Sequence, residues 1–304
     1  MWTQTLRAPR ARVFPALRAG LVTNTLKTGA LLAGLTALVV VVAHAIGGPS
    51  AALIALVVTA GLQLASYWFS DRIVLAMHGA VDLPVDAAPR LHAILERLSA
   101  RAGLPRPRLV YVPDGAPNAF ATGRSPAHAV VAVTQGLLDL LDDDELEGVL
   151  AHELSHVANR DMLVMTIAAT LAGAITLVAR LAGWAMVFGG SRDEEHRGPG
   201  ALESIVLIVL APILAVIVQI AVSRSREYGA DAKGALLCGD PQPLARALDK
   251  LHRSAEQVPS ATASPATAHL YIVEPLFAVG GGLFRLFSTH PPVEERIRRL
   301  LGDR

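Results

Sequence analysis

The residues best suited to chemistry lie in one short motif, His152-Glu153-Leu154-Ser155-His156. If this motif is helical, the two histidines stand four positions apart on one face, about 5–6 Å from each other. Both imidazoles then reach one metal ion, and imidazole nitrogen is a ligand that suits zinc. Glu153 projects beside them without being a ligand, so it is placed to accept a proton from a metal-activated water. The motif therefore predicts a zinc site with Glu153 as general base.

A catalytic zinc site of this kind needs a third protein ligand and one open position. The later segment 225–231, SREYGAD, offers Glu227 and Asp231 four positions apart on one face of a predicted helix. One carboxylate would bind the metal, and the other would accept the second N–H of a ligand histidine and so fix its tautomer. The spacing leaves open which residue does which. The expected cofactor is one Zn²⁺ per chain.

The composition shows what must position these residues. Of the 304 residues, 52% are apolar and 17% are charged, and the mean hydropathy is +0.44. A soluble domain carries about 25% charged residues, and here the excess of apolar residues is clustered. Four stretches approach the 17–25 residues needed to cross a bilayer. The predicted spans cover about 30–46, 51–69, 163–188 and 205–222.

The same figures exclude other classes of protein. A chain this apolar is neither disordered nor a disulfide-stapled secreted domain, and its one cysteine, Cys238, is expected to be buried. The net charge of +1 predicts no nucleic-acid partner. Arg180 lies inside the third predicted span, where we expect its long side chain to reach towards an interface.

Lys and Arg in the flanks of the spans predict the orientation. The amino-terminal flank and the segment after the fourth span are basic, so both termini and the region 70–161 are expected in the cytosol. A signal peptide is the alternative for the first span, since Ala43-His44-Ala45 resembles a cleavage site. Even then the second span would return the chain to the cytosol. The predicted divisions are a basic segment 1–28, a hairpin of spans 29–69, a catalytic part 70–161, the third and fourth spans 162–222 and a second catalytic part 223–304.

Within the two catalytic parts the apolar pattern predicts both helices and strands. Amphipathic helical spacing covers 87–102, and the segment around the histidine motif, 143–160, begins with acidic residues that favour a helix start. The remaining predictions are strands at 108–112 and 129–133, a short helix at 137–141 and a mobile loop at 254–267.

The chain resembles the HtpX family of bacterial integral-membrane zinc endopeptidases, which are related to the prenyl-protein proteases. The resemblance covers nearly the whole chain and rests on the two amino-terminal spans together with motifs in the family's order. Gly229 is a departure, because many members have an acidic residue there. The motifs are SYWFSD at 66–71, NAFATG at 118–123, GVLAHELSHVANRD at 148–161, SRSREYGAD at 223–231 and STHPPVEER at 288–296.

The resemblance assigns roles that the spacing left open. It implies that His152, His156 and Glu227 bind zinc, that Glu153 is the base and that Asp231 supports a ligand. His290 and Arg296 match positions that line the active site, where either would stabilise an oxyanion; the alternatives are a helix start and an amphipathic helix face. Asn118 and the predicted strand containing Ala129 and Val131 match the region that pairs with an extended substrate.

The resemblance thus implies an α+β membrane protein that is mostly helical, with four transmembrane helices and a cytosolic zincin-like domain carrying a small β-sheet. The expected activity is hydrolysis of peptide bonds in misfolded or damaged membrane proteins at the bacterial inner membrane, a role in quality control and stress response. Three other classes remain open at this point. A zinc sensor or carrier would place ionisable ligands inside its spans, and an inactive scaffold would present substrates to another protease. A membrane hydrolase that acts on a different bond is the third, because zinc-activated water is not confined to peptides.

Overall fold

The computed structural model describes residues 14–167, 224–255, 257–263, 267–273 and 290–302. These residues form a mostly helical fold with a small mixed sheet, in agreement with the helical class expected above. The fourth predicted span at 205–222, most of the third with Arg180, and part of the predicted loop 254–267 lie outside the described residues.

The amino-terminal helix α1 covers Phe14–Met77 and folds back on itself. Gln63 Nε2 donates to the Leu32 carbonyl oxygen at 3.0 Å and to Thr36 Oγ1 at 2.7 Å. In a straight helix residues 36 and 63 would lie about 40 Å apart, at a rise of about 1.5 Å per residue. The chain therefore reverses between them. Gly48 lies in this interval with a φ of +70°, a left-handed conformation that glycine adopts without strain.

The part of α1 that follows this reversal, its second arm, exposes large apolar side chains. Leu53, Ile54, Val57 and Leu62 expose between 61% and 64% of their surface. Length and composition give one candidate membrane span in the described residues, Gly48–Ala65. Crossing of a bilayer stays a prediction, as does the four-span topology. Because α1 continues to Met77, the division predicted between residues 69 and 70 falls inside a helix.

The sheet contains strands β1 to β4 in the order β1-β2-β4-β3. The two central strands, β2 and β4, are parallel, whereas β1 is antiparallel to β2 and β3 is antiparallel to β4. Within the described part of the chain, β3 pairs with β4 alone and is therefore an edge strand. The strands cover Val81–Asp82 (β1), Arg108–Val112 (β2), Ala119–Thr122 (β3) and Val130–Thr134 (β4).

The strand with Ala129 and Val131, which is predicted to pair with substrate, lies inside the sheet and has no free edge for such pairing. Val131 lies inside β4, between Leu109 of β2 and Ala121 of β3. The carbonyl oxygen of Ala129 accepts the backbone N–H of Arg108 at 3.0 Å. Since the sheet already uses these backbone groups, an added chain has no edge to pair with there. Every residue of β4 is buried, which is expected of a central strand.

The helices that follow the strands pack around one central helix, α4. This helix contacts α2, α5 and α6 as well as β3, and its Val149, Leu150 and Leu154 are fully buried in the core. Because α4 is packed on several sides, it is held more firmly than a helix at the surface. The helices cover Pro89–Ala102 (α2), Gln135–Leu140 (α3), Asp143–Asn159 (α4), Arg224–Cys238 (α5), Gln242–Ala255 (α6) and Val293–Leu301 (α7).

Both ends of α4 are set by local sequence. At its start, Asp142 Oδ1 accepts the Glu145 backbone N–H at 2.9 Å and Glu145 Oε2 accepts the Asp142 N–H at 3.1 Å, a reciprocal cap. Lys250 of α6 also binds Glu145 Oε2 at 2.7 Å. At its end, Arg160 has a φ of +58°, the one positive value at a non-glycine position among the described residues. Helical backbone resumes at Asp161 and is described to residue 167.

Candidate metal centre

Three side chains from two helices bring ligand atoms together in the buried core. His152 and His156 of α4 and Glu227 of α5 each offer one atom, and these atoms lie within 4.8 Å of one another. The two Nε2 atoms are 3.2 Å apart, and each is 3.7 Å from an oxygen of Glu227. All three side chains are nearly inaccessible to solvent.

This arrangement fits a tetrahedral zinc ion. Ligand atoms about 2.0–2.2 Å from a common ion are separated by about 3.3–3.6 Å in that geometry, close to the separations found. Two imidazole nitrogens and one carboxylate oxygen form a donor set that zinc accepts, with one position left open. Burial also favours an ion here, because three polar groups facing one another without solvent need a common partner.

Close packing of α5 on α4 brings Glu227 to the histidines. A Cβ atom at Gly234 would lie 3.0 Å from the backbone nitrogen of His152 and 3.2 Å from its Cα. Glycine therefore lets the two helix backbones approach at the level of the first ligand. Gly229, where the sequence departs from the family pattern, is exposed on the same helix, and a Cβ atom added there would meet nothing within 4 Å.

Asp231 supports His152 from the side away from the ligand cluster. Its Oδ1 lies 2.9 Å from His152 Nδ1, and Arg296 of α7 binds both carboxylate oxygens at 2.7 and 2.8 Å. Burial opposes ionisation of Asp231, but Arg296 beside it lowers its pKa to about 2. Burial lowers the pKa of His152, which favours the neutral ring that a metal requires. Of the two carboxylates left open by spacing, Glu227 faces the ligand atoms and Asp231 faces Nδ1.

His156 has a corresponding neighbour that the sequence did not single out. Asp161 Oδ2 lies 3.3 Å from His156 Nδ1, and Arg226 Nε lies 3.9 Å from Asp161 Oδ1. Burial opposes the charged ring, yet the Asp161 and Glu227 carboxylates raise the pKa of His156 to about 9. The available signal was an aspartate five positions after the second histidine, just beyond the predicted end of its helix.

Glu153 lies between the ligand cluster and the edge strand. It is 4% exposed, and the backbone N–H of Ala121 in β3 donates to its carboxylate. Burial, assisted by the Glu227 carboxylate, raises the pKa of Glu153 to about 7, against the opposing effects of His156 and the Ala121 N–H. A carboxyl group with a pKa near 7 both accepts and returns a proton at neutral pH.

The remaining predicted site residues surround this cluster. His290 Nδ1 lies 3.5 Å from Glu227 Oε2, so this ring is next to the ligand carboxylate. Burial would raise the pKa of Glu227, but the hydrogen bond with His290 and the nearby His156 and Arg296 hold it well below its usual value. Arg296 is fully buried, and besides binding Asp231 it donates through Nη1 to the Ile272 carbonyl oxygen at 2.8 Å. The position of Arg296 is thus behind Asp231.

Asn118 lies directly before the edge strand and is buried. Its backbone pairs with Thr134 of β4, and its Oδ1 accepts the Ile272 backbone N–H at 3.1 Å. Together with the Arg296 bond, this fixes both backbone groups of Ile272, in a segment that the sequence did not connect with the site.

Comparison with known proteins identifies the family to which this centre belongs. Residues 86–303 match peptidase family M48. A "Protease HtpX homolog" of Syntrophobacter fumaroxidans is 53% identical over 276 residues, which cover 90% of this chain and 97% of that protein. Another, of Aquifex aeolicus, is 55% identical over 259 residues, covering 84% of this chain and 85% of that protein. The chain belongs to the HtpX group of peptidase family M48.

Membership of M48 makes the chain a metallopeptidase, a hydrolase that acts on peptide bonds. The expected resemblance to the HtpX family is therefore confirmed. Among solved structures, S. mikatae Ste24p matches with a TM-score of 0.47 and 20% identity, covering 94% of this chain and 66% of that longer one.

Proposed function

We propose that the chain is a membrane-embedded zinc endopeptidase in which His152, His156 and Glu227 hold the ion and Glu153 is the general base. The observation that carries the proposal is the position of Glu153. Its carboxylate lies beside the ligand cluster on one side and accepts the Ala121 N–H of the edge strand on the other. A base in this place reaches both an activated water and a peptide laid along β3.

The reaction follows from the roles of these side chains. A bound zinc ion supplies the Lewis acidity that polarises water and the scissile carbonyl group. Glu153 accepts the proton of the attacking water and then donates it to the departing amine, for which its raised pKa is suited. His290, beside the Glu227 carboxylate, is the proposed donor to the oxyanion. Arg296 instead positions Asp231 and His152, because its N–H groups already bind Asp231 and Ile272.

Substrate binding is assigned to the edge of β3. At Ala121 this edge faces Glu153, so a chain added there would pass directly beside the base. Pairing through backbone hydrogen bonds accepts many sequences, since side chains contribute only through the pockets that they fill. Asn118 fixes the start of the strand. Such recognition suits unfolded or damaged protein segments, the substrate class that the resemblance implies.

A membrane location is supported by the helix that leads into the catalytic part. Its exposed apolar arm ends in Tyr67, Trp68 and Phe69, aromatic residues of the kind found at bilayer interfaces. The Arg124 guanidinium, just after β3, lies 4.8 Å from the centre of the Trp68 ring. The edge strand therefore ends close to the proposed membrane surface. We accordingly propose membrane proteins as substrates, at the cytosolic face of the bacterial inner membrane, with both termini in the cytosol.

The test is a cleavage time course in detergent on an unfolded membrane protein, with zinc content measured in parallel. The variant Glu153→Gln should retain zinc and lose cleavage, because an amide neither accepts nor returns the proton. Glu147→Gln is the matched control, since Glu147 lies on the same helix but pairs with Arg97 at the surface. We expect it to cleave like the unmodified chain. Full activity of Glu153→Gln would contradict the assigned base, and zinc binding without cleavage in every form would favour a scaffold.

A further inference from the structure

One buried carboxylate at the metal centre has no role in the mechanism above. Asp161 is fully buried and lies 3.3 Å from Nδ1 of His156, on the side of the ring opposite the ligand atom Nε2. It follows Arg160, whose φ of +58° ends α4 abruptly. This left-handed residue turns the chain so that Asp161 faces back towards the helix that it follows. A positive φ at a bulky residue is strained, and such strain is found where surrounding structure requires a particular geometry.

The surroundings of Asp161 resemble those of Asp231. Each carboxylate lies between the Nδ1 atom of a proposed ligand histidine and an arginine, which is the largely buried Arg226 for Asp161 and the fully buried Arg296 for Asp231. Arg226 directly precedes the proposed ligand Glu227, and its side chain is only 10% exposed. The carboxylate thus connects the end of α4 with the start of α5, the two helices that supply the ligands.

The helical segment that Asp161 begins also reaches the edge strand. Thr166 Oγ1 and Thr122 Oγ1, at the end of β3, are 3.0 Å apart. His269 Nε2 lies 2.9 Å from the Met165 carbonyl oxygen, a contact that further fixes this segment. One short stretch therefore contacts a ligand histidine at its start and the proposed substrate strand near its described end.

We propose that Asp161 is a positioning residue of the metal centre. By accepting the Nδ1–H of His156, it fixes the tautomer and the ring orientation that leave Nε2 available as a ligand. Its place at the start of the segment 161–167 holds this ring in register with the β3 edge. The inference rests on the proposed assignment of His156 as a ligand, and its test separates the two.

The test compares cobalt binding by the unmodified chain with binding by Asp161→Leu and Asp161→Asn. Loss of the acceptor in Asp161→Leu should raise the cobalt dissociation constant about 10–100-fold and alter the visible absorption of the bound ion, which reports ligand geometry. Asp161→Asn keeps an acceptor oxygen of similar size, so it should recover the spectrum and weaken binding only several-fold. Should the leucine variant not fold, Asp161→Asn still decides, because replacing a carboxylate by an amide should weaken binding several-fold.

Asn159→Ala is the matched control, since Asn159 lies at the same helix end and its side chain binds Lys233 at 2.7 Å. We expect cobalt affinity and spectrum unchanged in this variant. Unchanged affinity in both Asp161 variants, or equal weakening by Asn159→Ala, would overturn the inference while leaving the metal site intact. Failure of the unmodified chain to bind cobalt would overturn the proposed function itself, and this inference with it.

Discussion

The two proposed ligand histidines, His152 and His156, stand one helical turn apart, yet they are supported in different ways. His152 is held from a distance in sequence, by Asp231 of α5 and Arg296 of α7, with separations of 2.7–2.9 Å. His156 is held mainly by Asp161, five residues later in the chain, with longer separations of 3.3 Å to the ring and 3.9 Å to Arg226. The first support comes entirely from other helices, whereas the second comes mainly from the turn that ends α4 itself, with a longer contact to α5.

The difference also appears in the charge of the two rings. Burial keeps the pKa of His152 below its usual value, whereas Asp161 and Glu227 raise that of His156 to about 9 against the effect of burial. Before a metal binds, therefore, one ligand is a neutral ring and the other carries a proton at neutral pH. The first is ready for an ion, and the second must release its proton.

The largest expected effect is on stability and comes from replacing Arg296, which binds Asp231 beside His152. Arg296→Met leaves the Asp231 carboxylate buried without its partner, which should cost about 3–5 kcal/mol of unfolding free energy in the metal-free chain. Arg226→Met should cost less than half as much, because its separation from Asp161 is longer. Denaturant unfolding measures both. Arg298→Met, in an exposed pair with Glu295, is the control and should leave stability nearly unchanged. Equal losses for the two buried arginines would contradict this contrast between the supports.

The second prediction concerns the packing of α5 against α4, which holds Asp231 beside His152. A methyl group at Gly234 would press on the backbone of His152, so Gly234→Ala should cost about 1–3 kcal/mol by overpacking. It should also weaken metal binding, since α5 carries Glu227 and Asp231. Gly229→Ala, on the same helix with open space around it, should stabilise the chain by about 0.5–1 kcal/mol. Thermal unfolding with and without zinc distinguishes them; the prediction fails if both alanines act alike.

The smallest effect is a proton released on metal binding. Because the pKa of His156 is raised, its contribution to the stability of the metal-free chain is full below about pH 6.5 and is lost as pH rises through about 9. Zinc must displace this proton, so between about pH 7.5 and 8.5 binding should release close to one proton per ion, and none from His152. Calorimetry in buffers of different ionisation enthalpy counts it. If no proton is released, the His156 ring is not charged in the metal-free chain, and Asp161 does not stabilise a charged ring there.

The parts of the site that local spacing determines could be predicted from the sequence. The histidine motif needs only a helix to bring His152 and His156 together, and the acidic start at Asp142 marks that helix clearly. The choice between Glu227 and Asp231 could not be made from spacing, since both lie on one face of α5. It depends on how α5 packs on α4, which Gly234 permits and no local pattern reveals.

The order of the strands in the sheet could not be predicted from local sequence patterns, for a similar reason. The apolar run around Val131 indicates a strand but not its neighbours, and pairing on both sides is a property of the whole sheet. Arg296 was expected near an oxyanion from the family resemblance alone. The amphipathic pattern of its helix indicates a buried face but does not show which acid lies opposite. Asp161 was within reach of sequence reasoning, since a local turn at Arg160 is enough to bring it back to His156.

The order of the ligands along the chain has a consequence for how the enzyme is made. Glu227 follows His156 by about 70 residues, and both later predicted spans lie in that interval. A metal ion held by residues at both ends would close this long loop, at an entropic cost that grows only slowly with its length. In a protein that crosses the bilayer at those spans, the complete ligand set exists only after both have inserted. A chain that had inserted only the earlier spans would therefore lack the proposed third ligand and could not yet cleave a peptide bond.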